Sequence, residues 1–189
     1  MIRKCLKVLG TVAAILVGVV AVYVIYLFAT YHRIADNLPL TVEQPAKKGT
    51  DVDALAVGTE YTALTYNIGF GAYTPDFSFF MDGGESSWAK SKESVLDTVQ
   101  GAGDLVASLR PDFALIEEID LDATRSYHTD EYALLKECLP EDYTVFAQNY
   151  DSAFLFYPLN QPHGSSKSGL GLFSRYPVTE ALRRSFPIS

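Results

Sequence analysis

Residues 8–29, VLGTVAAILVGVVAVYVIYLFA, form a run of 22 residues without a charge. As a helix rising 1.5 Å per residue the run measures about 33 Å, against a bilayer hydrocarbon core of about 30 Å. No polar stripe interrupts it, as a core helix of a soluble protein would require. A cleaved signal peptide is the rival, but its apolar stretch is roughly 7–15 residues long and ends at small residues. Here the far end holds Tyr26, Leu27 and Phe28. The expectation is an uncleaved single-pass anchor, with Tyr23, Tyr26, Tyr31 and His32 at one interface. Arg3, Lys4 and Lys7 precede the run and only Arg33 follows closely. That asymmetry predicts a cytoplasmic N-terminus over residues 1–7 and a domain on the outer side of the cell membrane.

The charge beyond the anchor is one-sided. Residues 34–189 carry 11 basic and 23 acidic residues, a net of −12. Nonspecific nucleic-acid binders present a basic stripe, so this balance argues against such a partner. It is compatible with an enzyme that meets phosphate through a divalent cation, because carboxylates hold the cation. Cys5 and Cys138 stand on opposite sides of the anchor, so no disulfide framework is expected. Cys138, in EYALLKECL, reads as a packed helical thiol rather than a nucleophile.

Residues 30–60 hold Pro39, Pro45, Gly49 and Gly58 with no sustained period, and read as a stalk or linker with a short extended piece. Residues 61–68 are a short strand, and 69–86, with four Gly and a Pro, form a loop. A helix is predicted to start between Ser87 and Lys92 and to end at Pro111. Its buried face comprises Trp88, Val95, Val99, Ala102, Val106 and Leu109. Residues 112–119 are a buried strand, and 130–139 a helix closed by Pro140. Strands then follow at 143–149, 153–157, 169–174 and 178–182. Strands clustering late predict an α+β fold with an antiparallel-rich sheet.

Two strand ends present polar residues after apolar runs: Asn67 in LTYNIGFG, and Glu117–Glu118 in PDFALIEEID. Consecutive strand residues point to opposite faces, so one glutamate of the pair is expected on a given face. A carboxylate closing a buried strand is costly unless paired or metal-bound, and an amide oxygen and a carboxylate both suit Mg²⁺. Solvation at the sheet edge is the plainer alternative.

The pattern TYNI, a helix, PDFALIEEID and then GLGLFSRYPV resembles the endonuclease/exonuclease/phosphatase superfamily, the DNase-I-like phosphoesterases. The three motifs lie in the family's order over residues 61–178. The resemblance implies the N-terminal half of a two-sheet β-sandwich flanked by helices, occupying residues 61–189 behind one transmembrane helix. It implies that Asn67 and Glu118 are catalytic and hold Mg²⁺ or Mn²⁺, with Glu117 at a position where the family has Gln. It further implies hydrolysis of a phosphodiester or phosphomonoester: a lipid head group, a small phosphoester or nucleic acid. Gly69 stands where nuclease members often have Asp. The family's Gly-Asp-x-Asn motif and C-terminal Asp-His pair do not occur in the 14 residues after Arg175. The expectation is therefore a partial domain, inactive alone. The alternatives are a noncatalytic membrane-tethered binding or scaffold domain, and an unrelated α+β domain behind an anchor. No protein partner can be inferred.

Substrate contacts are assigned to Arg125, His163 and Lys167. Arg125 follows the Glu118 strand closely, and its planar fork suits a phosphate; a surface charge is the other reading. His163 and Lys167 sit in NQPHGSSKSG, where ordinary turn chemistry is the competing account. His128 reads as solvated, with Thr129 or Asp130 capping the next helix. The loop aromatics Phe70, Tyr73, Phe77, Phe79 and Phe80 form a packed flap or a lipid-facing surface, with Asp76 and Asp82 lacking an evident partner.

Overall fold

A computed structural model describes residues 2–47 and 54–186. The chain divides into two compact units, one through Arg33 and one from Ile34 onward.

The first unit is α1 (Ile2–Thr30), a single helix of 29 residues. It is long and apolar enough to be a membrane span or a signal sequence. Its two threonines turn back onto the helix. Thr11 donates to the Lys7 carbonyl at 3.0 Å and Thr30 to the Tyr26 carbonyl at 2.7 Å. A hydroxyl satisfied this way asks nothing of an apolar surrounding.

The second unit is α+β. After β1 (Leu38–Pro39) and β2 (Val42–Glu43) come β3 (Ala63–Asn67), α2 (Lys92–Leu109) and β4 (Phe113–Ala123). They are followed by α3 (Glu131–Cys138), β5 (Tyr143–Leu155), β6 (Gly164–Ser174) and β7 (Leu182–Arg183). Five strands form a mixed sheet in the order β2-β5-β6-β4-β3, and β1 pairs with β7 in a small ribbon. Only β3 and β4 run parallel within the larger sheet, because α2 carries the chain back between them.

Residues 34–47 are not a free stalk. Val42 pairs with Val145, Leu38 pairs with Arg183, and the Arg183 guanidinium donates to the Ala35 carbonyl at 2.9 Å. The middle of the expected stalk, residues 48–53, lies outside the described residues. So do the first residue of the expected cytoplasmic segment and the last three of the expected domain.

Local chemistry sets the helix limits. Ser91 caps α2 by accepting the Ser94 N–H at 3.1 Å, and Asp130 caps α3 by accepting that of Ala133 at 2.9 Å. Val95, Val99, Ala102 and Val106 are buried on α2 as their spacing predicts. Trp88 and Leu109 are corrections to that face. Trp88 precedes the helix, where its indole N–H donates to the Pro162 carbonyl at 2.6 Å, and Leu109 is exposed at the helix end. Tyr132 of α3 packs its ring on Phe146 of β5 and Phe173 of β6, joining the helices to the sheet. Gly103 lets α2 and α3 approach: a Cβ there would lie 2.5 Å from the Cys138 sulfur.

Four strand limits differ most from expectation. The strand expected at 112–119 runs on to Ala123 as β4. Residues 143–149 and 153–157 are not two strands; one strand, β5, runs through to Leu155. β6 starts at Gly164, five residues earlier than expected, because Ser166 and Ser168 are buried. The expected strand at 178–182 contracts to the pair Leu182–Arg183.

Candidate functional site

Asp112 sets the register of the two parallel strands. Its carboxylate accepts the Thr62 N–H at 2.7 Å and the Thr62 hydroxyl at 2.9 Å. These bonds hold its pKa below the usual value against the opposing effect of burial. With the strands so aligned, Asn67 lies opposite Glu117.

β4 then breaks its alternation. Its register against β6 shifts between Ile116 and Ile119, and Glu118 adopts φ +57°. A left-handed glutamate is uncommon, and a bulge re-aims the side chains it contains. Both glutamates therefore reach the face of β3 that carries Thr65 and Asn67. Thr65 donates to Glu117 Oε1 at 3.2 Å, and the Asn67 amide nitrogen donates to Glu118 Oε1 at 2.9 Å. The expectation that one glutamate serves a given face fails here, because alternation holds only for an unbulged strand.

The Asn67 amide is fully oriented. Its Oδ1 accepts the Gly69 N–H at 2.9 Å, which fixes the nitrogen toward Glu118. Asn67 thus positions the carboxylate and turns its own oxygen away. Among the described residues no three His, Cys, Asp or Glu side chains gather as a metal cage. Glu118 is exposed at the bulge of β4. Mg²⁺ commonly keeps several waters and takes one or two carboxylates, so a single oriented carboxylate fits one protein ligand of such an ion. The Asn67 Oδ1 accepts one N–H and retains a second lone pair.

Gly69 is required where it stands. It has φ +54°, and a Cβ would lie 2.3 Å from Cδ2 of Tyr73. The Tyr73 hydroxyl donates to Asp82 Oδ2 at 2.9 Å. Burial, that bond and the negative charges of Asp82 and Glu118 push the hydroxyl up to about 12, with Arg125 opposing. Tyr73 therefore stands within the electrostatic reach of Glu118. Asp76, the other loop acid, accepts from Lys90 at 2.8 Å.

The three expected substrate contacts lie elsewhere. Arg125 is neither open to a phosphate nor a surface charge. Its Nε and Nη2 grip the fully buried Asp120 carboxylate at 3.0 and 2.8 Å, and its guanidinium lies 3.8 Å from the Phe70 ring centroid. This fork-on-carboxylate, stacked on an aromatic ring, occupies the planar face that a phosphate would use. His163 is 4% exposed and packs against the rings of Phe79 and Phe80. Burial, then the Arg125 charge, lowers its pKa, so the ring is neutral and enclosed rather than at a rim. Lys167 is exposed on β6 between Asp122 of β4 and Asp151 of β5, four residues along β4 from Glu118. His128, read as solvated, pairs its ring Nδ1 with Asp122 Oδ1.

Sequence reasoning missed the polar core beneath. Glu131 is fully buried, and its Oε2 accepts the Asp120 N–H at 2.9 Å. Desolvation, reinforced by the Asp120 charge, raises its pKa well above the usual carboxylate value. Ser126 donates to Asp120 Oδ2 at 2.9 Å. A charged fork five residues after an acid was the only available sign, and it fits a surface pair equally well.

No family model, no curated protein and no solved structure matches this chain. Fold and site together define an α+β domain in which an oriented Asn–Glu pair stands where the parallel pairing of β3 and β4 ends, in a chain with a long apolar helix near its N-terminus.

Proposed function

We propose that this chain carries part of a membrane-anchored, metal-assisted phosphoesterase of the DNase-I-like kind, inactive by itself, with Glu118 as a metal ligand and Asn67 as its positioning partner. The observation that carries this reading is the 2.9 Å bond between two side chains 51 residues apart, at the end of β3 and the bulge of the adjacent parallel strand β4. A carboxylate bonded on one side and exposed on the other is suited to a hard cation. Mg²⁺ or Mn²⁺, when bound, supplies charge that polarises a phosphoryl oxygen. The chain's own part is to hold the Glu118 carboxylate still through Asn67 and the Gly69 N–H. α1 is the membrane anchor, with Arg3, Lys4 and Lys7 on the cytoplasmic side and the domain outside. The net charge of −12 over residues 34–189 favours a phospholipid head group or small phosphoester over nucleic acid.

One observation favours the second reading, a noncatalytic tethered binding domain: Arg125 and His163 are both committed to the interior. The test is thermal melting of the full chain in detergent with Mg²⁺ or Mn²⁺. Ion at about ten times its Kd stabilises by about 1.4 kcal/mol, or roughly 3–5 °C. The shift is expected in the wild type and absent in Glu118→Ala. No shift in the wild type, or an equal one in Glu118→Ala, overturns the metal reading.

A further inference from the structure

Scattered exposed apolar side chains are ordinary, but a cluster built from two separate segments is not. Met81, Tyr157 and Leu159 are 69%, 66% and 76% exposed. They come from the loop after β3 and from the turn between β5 and β6, and the rings of Phe80 and Tyr157 lie 6.1 Å apart. The platform is backed by the interior. Phe80 packs on Phe79 and on the enclosed His163 ring, and the Trp88 indole clamps the Pro162 carbonyl. The turn closes on itself through the Gln161 N–H to the Pro158 carbonyl at 3.2 Å. The apolar tips are thus presented by a packed base.

Charge is withheld from the β5–β6 side of this surface, while Asp82, next to Met81, is held by the Tyr73 hydroxyl at 2.9 Å. Between Asp151 and Lys167 there is no Asp, Glu, Lys or Arg, in a domain that is otherwise strongly acidic. We propose that Met81, Tyr157 and Leu159 form a docking surface for the headgroup–acyl boundary of a lipid bilayer. Two observations select a bilayer as the occupant. The side chains are those that lie at that boundary, with a tyrosine whose hydroxyl stays wet and aliphatic tips that enter. The same chain also carries α1, whose length and composition suit a membrane. The uncharged turn of residues 152–166 lets an acidic domain meet lipid with few carboxylates set against the head groups. Docking needs no divalent cation, so it stands apart from the metal reading.

The experiment uses the full chain reconstituted in phosphatidylcholine vesicles with brominated acyl chains, compared with unbrominated ones. Trp88 is the chain's one tryptophan and serves as the interior reference. A side chain seated about 5–10 Å into the boundary is reached by the bromines, so the emission added by Leu159→Trp is expected to fall at least about twofold. High salt leaves the quenching in place, since no ion pair holds the surface. Adding Met81→Asp and Tyr157→Asp to Leu159→Trp abolishes it. Both replaced side chains are exposed, so an unchanged melting temperature shows that the fold survives. Unquenched emission in the folded Leu159→Trp chain overturns the proposal. So does quenching that persists with both aspartates present. Cross-linking between copies through residue 159 with no quenching assigns the surface to a second copy and also overturns it.

Discussion

Glu118 and Asp120 stand two residues apart on β4 with opposite surroundings. Glu118 takes one amide bond and faces solvent, whereas Asp120 is sealed with Arg125, Ser126 and the neighbouring Glu131. The bulge at residues 117–118 separates them. It turns one carboxylate outward over the end of β3 and returns the strand to the interior for the next. A strand can therefore hold a carboxylate available for chemistry beside one committed to structure, provided its alternation is broken between them.

Replacing each acid sharpens the contrast. Asp120→Ala leaves the Arg125 charge buried and unpaired, and is expected to cost about 3–5 kcal/mol in urea unfolding. Glu118→Ala removes an exposed group, and its change is expected to stay within about 0.5 kcal/mol while the metal-dependent shift disappears. Similar losses for the two variants would mean that Glu118 is structural as well.

Gly69→Ala comes next in size. The added methyl must adopt φ +54° and displace the Tyr73 ring, at a cost of about 1–3 kcal/mol. Weakened ion binding in this folded variant would show that the loop turn positions Asn67. Unaltered binding would confine its role to packing.

The last effect is a pH slope rather than a fixed loss and concerns Glu131, which keeps its proton in the folded state after the unfolded chain has released it. Stability should therefore fall as pH rises above about 4.5 toward the folded pKa, by at most about 1.4 kcal/mol per pH unit for this one proton. Glu131→Gln carries no titrating proton and is expected to flatten that slope. An unchanged slope in the variant would assign it to another acid, such as Asp142, whose pKa burial raises to about 6.

Much of the frame was legible from residue pattern. Period and capping residues located α2 and α3, and the short β-rich runs located β3 and the start of β4. The meeting of Asn67 and Glu118 was expected from motif order and is present. The bulge was not legible, since no residue in LIEEID requires positive φ; the demand comes from pairing with β6. Arg125 was misread because sequence shows a cation's chemistry but not its burial. Gly164, Ser165 and Ser166 looked like a turn, yet they form a strand because small side chains fit beneath Thr124, whose hydroxyl accepts the Ser165 N–H at 3.1 Å. Residues 34–47 looked like a stalk because each strand there is only two residues long, too short to show a period.

That ribbon also fixes an order of events during synthesis. Leu38 pairs with Arg183, about 145 residues further along the chain. α1 is complete, and can be recognised by a membrane, long before β7 leaves the ribosome. At the roughly 5–20 residues per second typical of translation, β1 waits several seconds or more for its partner. During that interval the start of the domain is a nascent tail joined to a finished helix, and any chaperone or protease near the ribosome meets it first in that form.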